Sequence, residues 1–198
     1  MAQSQLSDKN TQIASLQAEI DRLTALIPPE PPKEGELGFS RFFPAPIGTA
    51  IPVDFTYRGG QYSAKITVKQ IIRGDAAWGI IYDTNDGNDP PFTGYEYILV
   101  KVRFELTSAP TAETAFQVSV YLGRFDAVAF EAVSGVGSIY DTPLLFDDPK
   151  PVLDATLYQG AYHEGWCTFL IEKTDAKPLM VFARRADGTG GIWFKLYS

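Results

Sequence analysis

Residues 90–107 read PPFTGYEYILVKVRFELT, and from Tyr97 onward they alternate. Ile98, Val100, Val102, Phe104 and Leu106 fall on one face, while Tyr97, Lys101, Arg103 and Glu105 fall on the other. A period of two with one apolar and one polar side belongs to a half-buried strand, because successive side chains leave opposite faces of a pleated backbone. The run is rich in β-branched and aromatic residues, and Pro90, Pro91 and Gly94 precede it, where a missing amide donor costs no ladder hydrogen bond. The stretch is therefore expected to be a central strand of an antiparallel sheet.

The same pattern extends outward in both directions. Ala50–Tyr57 reads as a first strand, Gly59-Gly60 as a turn, and Tyr62, Ala64, Ile66, Val68 and Ile72 then alternate with Ser63, Lys65, Thr67 and Lys69. Residues 78–82 read as a short apolar strand before a loop over 83–94. After the central strand, Phe116, Val118, Val120 and Leu122 alternate with Gln117 and Ser119, 125–133 form a weaker strand, and 134–151 are irregular, with Gly and Pro. Three more strands are expected over 165–172, 178–184 and 191–197. Eight or nine short strands, with no amphipathic helix of βαβ length, describe an all-β protein: an antiparallel sandwich in preference to a barrel.

Ahead of this lies a different pattern. Leu6, Ile13, Ile20 and Ile27 occupy a positions and Leu16 and Leu23 occupy d positions of a heptad, with Lys9 at the first d and Gln17, Glu19, Asp21 and Arg22 on the solvent side. Residues 5–27 are expected to form a helix with a coiled-coil seam, and Ile13, Leu16, Ile20, Leu23 and Ile27 are the candidate oligomerisation contacts. About three heptads are marginal alone, so the seam should be buried against copies of itself or against the body of the protein. Pro28-Pro29-Glu30-Pro31-Pro32 ends the helix and favours an extended, stiff polyproline conformation. The expected organisation is a helix over 1–27, a proline-rich spacer over 28–36 and a β-sandwich over 37–198.

Composition narrows the function classes. With 45% hydrophobic and 21% charged residues, the 198-residue chain can fill one sizeable core and carry an appendage. No run approaches about 18 consecutive apolar residues, so no transmembrane helix is expected. The opening MAQSQLSDKN lacks the basic and apolar regions of a secretion signal, which leaves a cytoplasmic chain and a processed one both open. A net charge of −7 and no basic cluster longer than Arg184-Arg185 argue against nucleic acid and anionic membrane surfaces. The single cysteine, Cys167, excludes an internal disulfide and a cysteine zinc cage, and its apolar surroundings WCTFLIE predict a buried, inert thiol.

Four segments carry a resemblance. RFFPAPIGTA at 41–50, GDAAW at 74–78, PPFTGYEYILVKV at 90–102 and Gly165-Trp166 resemble the bacterial extracellular immunoglobulin-like domain of unknown function, a family grouped with the mycobacterial immunoprotective extracellular protein. The resemblance covers about residues 37–198, and the P-x-G-Y-E-Y run is its most specific part. It implies an immunoglobulin-like sandwich in a secreted or lipid-anchored envelope protein, often behind a coiled or low-complexity tether. It brings no catalytic residues.

Candidate sites are few. The loop DTNDGND at 83–89 gathers oxygen-bearing side chains around a glycine, so Asp83, Asn85, Asp86 and Asp89 are candidate ligands for Ca2+, which takes six to eight hard oxygens. Its spacing is not that of an EF-hand, and a solvated hairpin loop built from the usual turn formers explains the same residues. Asp141, Asp147, Asp148 and Asp154 are a second acidic set, read as a metal site, an acidic partner surface or a solvated connection. Trp78, Trp166 and Trp193 suit either sandwich-core packing or a carbohydrate-stacking platform. His163, the only histidine, is expected in a surface turn, so a histidine cluster is excluded. The expectation is a non-enzymatic envelope or extracellular interaction protein that oligomerises or docks through its helix. A carbohydrate- or calcium-dependent binding module, or an accessory subunit of a larger complex, is the alternative.

Overall fold

The computed structural model describes residues 9, 12, 13, 15, 16, 37–120, 130–183 and 190–197. In the order of the chain the elements are β1 (Ala50–Tyr57), β2 (Gly60–Arg73), α1 (Asp75–Thr84), β3 (Tyr95–Ser108), β4 (Phe116–Val118), β5 (Phe130–Val133), β6 (Ala155–Leu157), β7 (Tyr162–Glu172), β8 (Leu179–Phe182) and β9 (Ile192–Lys195). They form a four-stranded sheet β1-β2-β3-β7, a three-stranded sheet β5-β8-β9 and the pair β4-β6. Every strand pair is antiparallel.

β3 is central, as its alternation requires: Val102 lies opposite Val68 of β2 on one side and Gly165 of β7 on the other. Ile98, Val100, Val102, Phe104 and Leu106 are all fully buried. They share one core with Phe130, Met180, Phe182 and Phe194 of the smaller sheet. The two sheets meet through aromatic edges and faces: Phe104 to Phe182 at 5.6 Å, Phe55 to Phe182 at 5.4 Å and Phe104 to Phe130 at 6.5 Å. Phe116 of β4 stacks on Phe104 at 5.5 Å. Each such pair adds about 0.5–1.5 kcal/mol beyond the apolar area it buries, which makes this aromatic group the centre of the sandwich-like packing.

Residues 78–82, expected as a strand, are helical instead and belong to α1. A short apolar run fits either state, and tertiary burial chose. Gly74 at φ 67° turns the chain out of β2, a backbone conformation that glycine adopts without a Cβ penalty. The Trp78 amide then donates to the Gly74 carbonyl at 2.9 Å, closing the first turn. Ala77 and Ile81, one helical turn apart, are fully buried with Tyr97 and Leu99 of β3. α1 thus covers the first part of the outer face of β3, and Tyr97, expected on a polar face, is buried. Beyond the helix that face is polar: Arg103 lies over the Tyr162 ring at 3.5 Å and pairs with Glu164 at 3.2 Å.

Other boundaries differ from expectation. β7 begins at Tyr162, so His163 is a half-buried strand residue whose Nε2 donates to the Val152 carbonyl at 2.7 Å, and not part of a surface turn. Of the strands expected around 116–122 and 125–133, Phe116–Val118 and Phe130–Val133 are strand; 121–129 lie outside the described residues. Cys167 is fully buried, and burial foremost pushes its thiol well above the usual value.

The chain divides into two compact units, Met1–Pro32 and Lys33–Ser198. In the first, Lys9, Gln12, Ile13, Ser15 and Leu16 are helical, with Ile13 and Leu16 exposed. Leu6, Ile20, Leu23, Ile27 and the spacer 28–36 lie outside the described residues. Among the described residues, no helix is long and apolar enough to cross a membrane.

Candidate functional site: a cleft at the head of β3

At the start of β3 the chain builds one wall of a cleft of about 880 Å3. Residues 89–92, Tyr95 and Tyr97 form that wall; the loop 134–144 after β5, the end of β7 and Thr174 and Asp175 beyond it form the rest. Cavities of about 300–1,000 Å3 are the usual size for ligand sites.

The first wall is held by Asn88, a buried amide in the loop between α1 and β3. Its Nδ2 donates to the carbonyls of Ile81 and Asp147, both at 3.0 Å, and its Oδ1 accepts from the amides of Phe146 at 2.8 Å and Asp147 at 3.5 Å. One side chain therefore ties the end of α1 to the strand-free segment around 146–147. Tyr97 adds a second tie by donating its hydroxyl to the Asp89 carbonyl at 3.0 Å. The Tyr95 amide closes a turn onto the Phe92 carbonyl at 2.9 Å, with Gly94 at φ 87°.

The opposite wall turns on Asp175. Its carboxylate accepts from the Tyr140 hydroxyl at 2.8 Å, the Gly135 amide at 3.2 Å and the Lys177 amide at 3.0 Å. Its carbonyl accepts from Arg73, whose Nε pairs with Glu96 at 2.6 Å. Burial and this hydrogen bond raise the Tyr140 phenol well above its usual value; burial and then the Asp89 charge raise Tyr97. Both phenols therefore stay protonated and donate inward over the ordinary pH range.

Two properties of the lining stand out. Phe92, Val136, Ile139 and Leu144 line the cleft yet are 73%, 84%, 50% and 94% exposed. Among the described residues, the charged side chains of the lining are Asp89, Asp141, Glu172 and Asp175, with no lysine, arginine or histidine. Carboxylates, phenols and hydroxyls beside apolar surface equip the cleft for contact and hydrogen bonding.

The residues singled out in the sequence are dispersed. Asp83 lies in the last turn of α1 and is exposed, Asn85 Oδ1 accepts from the Gly87 amide at 2.8 Å, Asp86 is exposed, and Asp89 reaches the cleft. Their loop joins a helix to a strand and is not a hairpin loop. Among the described residues, no three His, Cys, Asp or Glu side chains gather where they could hold a metal ion. Of the second acidic set, Asp141 lines the cleft, Asp147 pairs with Lys150 at 3.2 Å, Asp154 accepts from the Val120 amide at 3.2 Å, and Asp148 is half-buried. Trp193 is buried and donates to the Gly190 carbonyl at 3.0 Å, while Trp78 and Trp166 pack into the cluster under α1. None of the three lines the cleft. The wall 134–144 has one signal in the sequence: Val136, Ile139 and Leu144 are apolar without any period, inside a Gly- and Pro-containing segment.

These features define an all-β, sandwich-like protein with a ligand-sized, apolar and acidic cleft. No family model matches the chain, and no curated protein matches it significantly. Among solved structures it is similar to a conserved hypothetical protein from Bacillus anthracis, with a TM-score of 0.40 and 16% identity over 74% of this chain and 94% of that one.

Proposed function

We propose that the chain is a non-enzymatic interaction protein of the cell envelope or extracellular space. In this reading an immunoglobulin-like sandwich binds a partner through the cleft at the head of β3, and the N-terminal helix oligomerises or docks. The observation that carries it is the set of large apolar side chains, Phe92, Val136, Ile139 and Leu144, left exposed around one opening. Contiguous exposed apolar surface marks interaction sites, because leaving it in water costs about 25 cal/mol per Å2. The resemblance of 90–102 to the envelope domain family supports the compartment and the immunoglobulin-like reading. Two antiparallel sheets around a common core are compatible with it.

The test is a neutral, environment-sensitive dye. Nile red should brighten on the native chain, and the double variant Phe92→Ser, Leu144→Ser should lose most of that signal, roughly fivefold. Both side chains are exposed, so the melting temperature should not move. Equal dye fluorescence from the variant would overturn the assignment of the cleft.

A further inference from the structure

We propose that the cleft takes an extended segment of a partner protein in which a lysine or arginine is flanked by apolar residues. This deepens the reading above and rests on it. The first argument is charge. Asp89, Asp141 and Glu172 line the cleft with exposed carboxylates, and none of them forms an ion pair among the described residues. Of the neighbouring cations among the described residues, Arg41 donates to the Val136 carbonyl at 3.1 Å, Arg73 is held by Glu96 at 2.6 Å, and Lys173 and Lys177 stand beside the lining in sequence; none of the four belongs to the lining itself. Asp175, the fourth carboxylate, already accepts three internal donors and serves the wall.

The second argument is hydrogen-bond polarity. The hydroxyls of Tyr97 and Tyr140 are committed inward to Asp89 and Asp175, so what these side chains and the carboxylates offer an incoming group is acceptor oxygen and ring surface. With Ser and Thr hydroxyls able to serve either role, the carboxylates bias the lining toward cations and against anions. The chain's net charge of −7 favours the approach of a cationic partner in the same sense.

The third argument is reach. A small ligand is enclosed over most of its surface, whereas Val136 and Leu144 stand 84% and 94% exposed at the margin of the opening. A polypeptide covers such side chains with the residues on either side of its cation. A free organic cation leaves them in water.

The probes are capped heptapeptides with a central lysine between leucine and valine, the same peptides with norleucine or glutamate at the centre, and spermidine alone. Calorimetry on the full chain should show the lysine peptide binding about 10-fold tighter than the norleucine peptide at about 50 mM salt, with the difference gone at about 500 mM. The glutamate peptide should not bind. Asp141→Asn with Glu172→Gln should remove the lysine preference and leave the norleucine peptide unaffected; both positions are exposed, so folding is spared. Equal binding of the lysine and norleucine peptides would overturn the cationic preference and leave the apolar cleft standing. Spermidine binding as tightly as the lysine peptide would transfer the site to small cations and overturn the protein partner. No peptide binding with Nile red retained would sink this proposal alone; loss of both would sink it together with the function proposed above.

Discussion

Asn88 joins two loops that no strand connects. It is 4% exposed and makes four hydrogen bonds, two as donor and two as acceptor, so its amide is fully used. Removing it takes one donor from the Ile81 carbonyl, which keeps the Asn85 amide at 3.3 Å, and breaks the side-chain bonds to the Asp147 carbonyl and the Phe146 amide. A hydrogen bond contributes about 0.5–1.5 kcal/mol net, so Asn88→Ala, which gives up the three short ones, should destabilise the protein by roughly 3 kcal/mol in urea unfolding, with the slope unchanged. Asn88→Asp should be nearly as costly, because a carboxylate supplies no donor for the two carbonyls. A loss below about 0.5 kcal/mol in both variants would show that the loops hold each other without it. In the sequence Asn88 sits among DTNDGND, where every residue reads as a turn former. Loops have no period, so nothing local distinguishes the inward amide from its exposed neighbours.

Among the elements, β7 and the segment 151–153 show why a glycine interrupts a strand. The Trp166 amide donates to the Pro151 carbonyl at 2.7 Å and the Leu153 amide donates to the Trp166 carbonyl at 3.1 Å, which seats this backbone against β7. A Cβ at Gly165 would press directly on the Val152 carbonyl and the Leu153 amide, both backbone. Gly165→Ala should therefore cost about 3 kcal/mol as the segment is pushed off and the fully buried Leu153 is dislodged. The same substitution in α1 should act in the opposite direction. Gly79 has nothing within 4 Å of its would-be Cβ, so Gly79→Ala should add about 0.5–1 kcal/mol by lowering the backbone entropy lost on folding. Thermal unfolding of the two variants side by side checks both signs. Within α1 only 78–82 read as a strand, because DAAWGIIYDT carries too few residues for a helical period to declare itself.

For the whole molecule, Met1–Pro32 and Lys33–Ser198 are two compact units. Deleting residues 1–32 should leave a chain that unfolds in one cooperative transition at the same melting temperature. If the heptad seam is the oligomerisation element, the full chain should run as a multiple of its 21.8 kDa mass and the deleted chain as a monomer by light scattering. A monomer before and after would remove self-association from the proposed function. A lower melting temperature after deletion would instead assign the helix to packing on the body.

The sequence by itself determined the strands that alternate: Ala50–Tyr57 at its observed bounds, the centre of β2, and β3 with its buried face of Ile98, Val100, Val102, Phe104 and Leu106. Those are legible because a pleated strand buried on one side imposes a two-residue period that any single chain displays. It also marked Pro90 to Tyr97 as the head of the central strand, without reading a cleft there. Only the tertiary structure decided what covers the other face of β3, where α1 buries Tyr97 and Leu99. It alone tied the second wall, 134–144, to the segment after β7 through Tyr140 and Asp175, residues 35 positions apart. Contacts between distant, aperiodic segments are fixed by the packing of the sheets that carry them, and no local pattern encodes that placement.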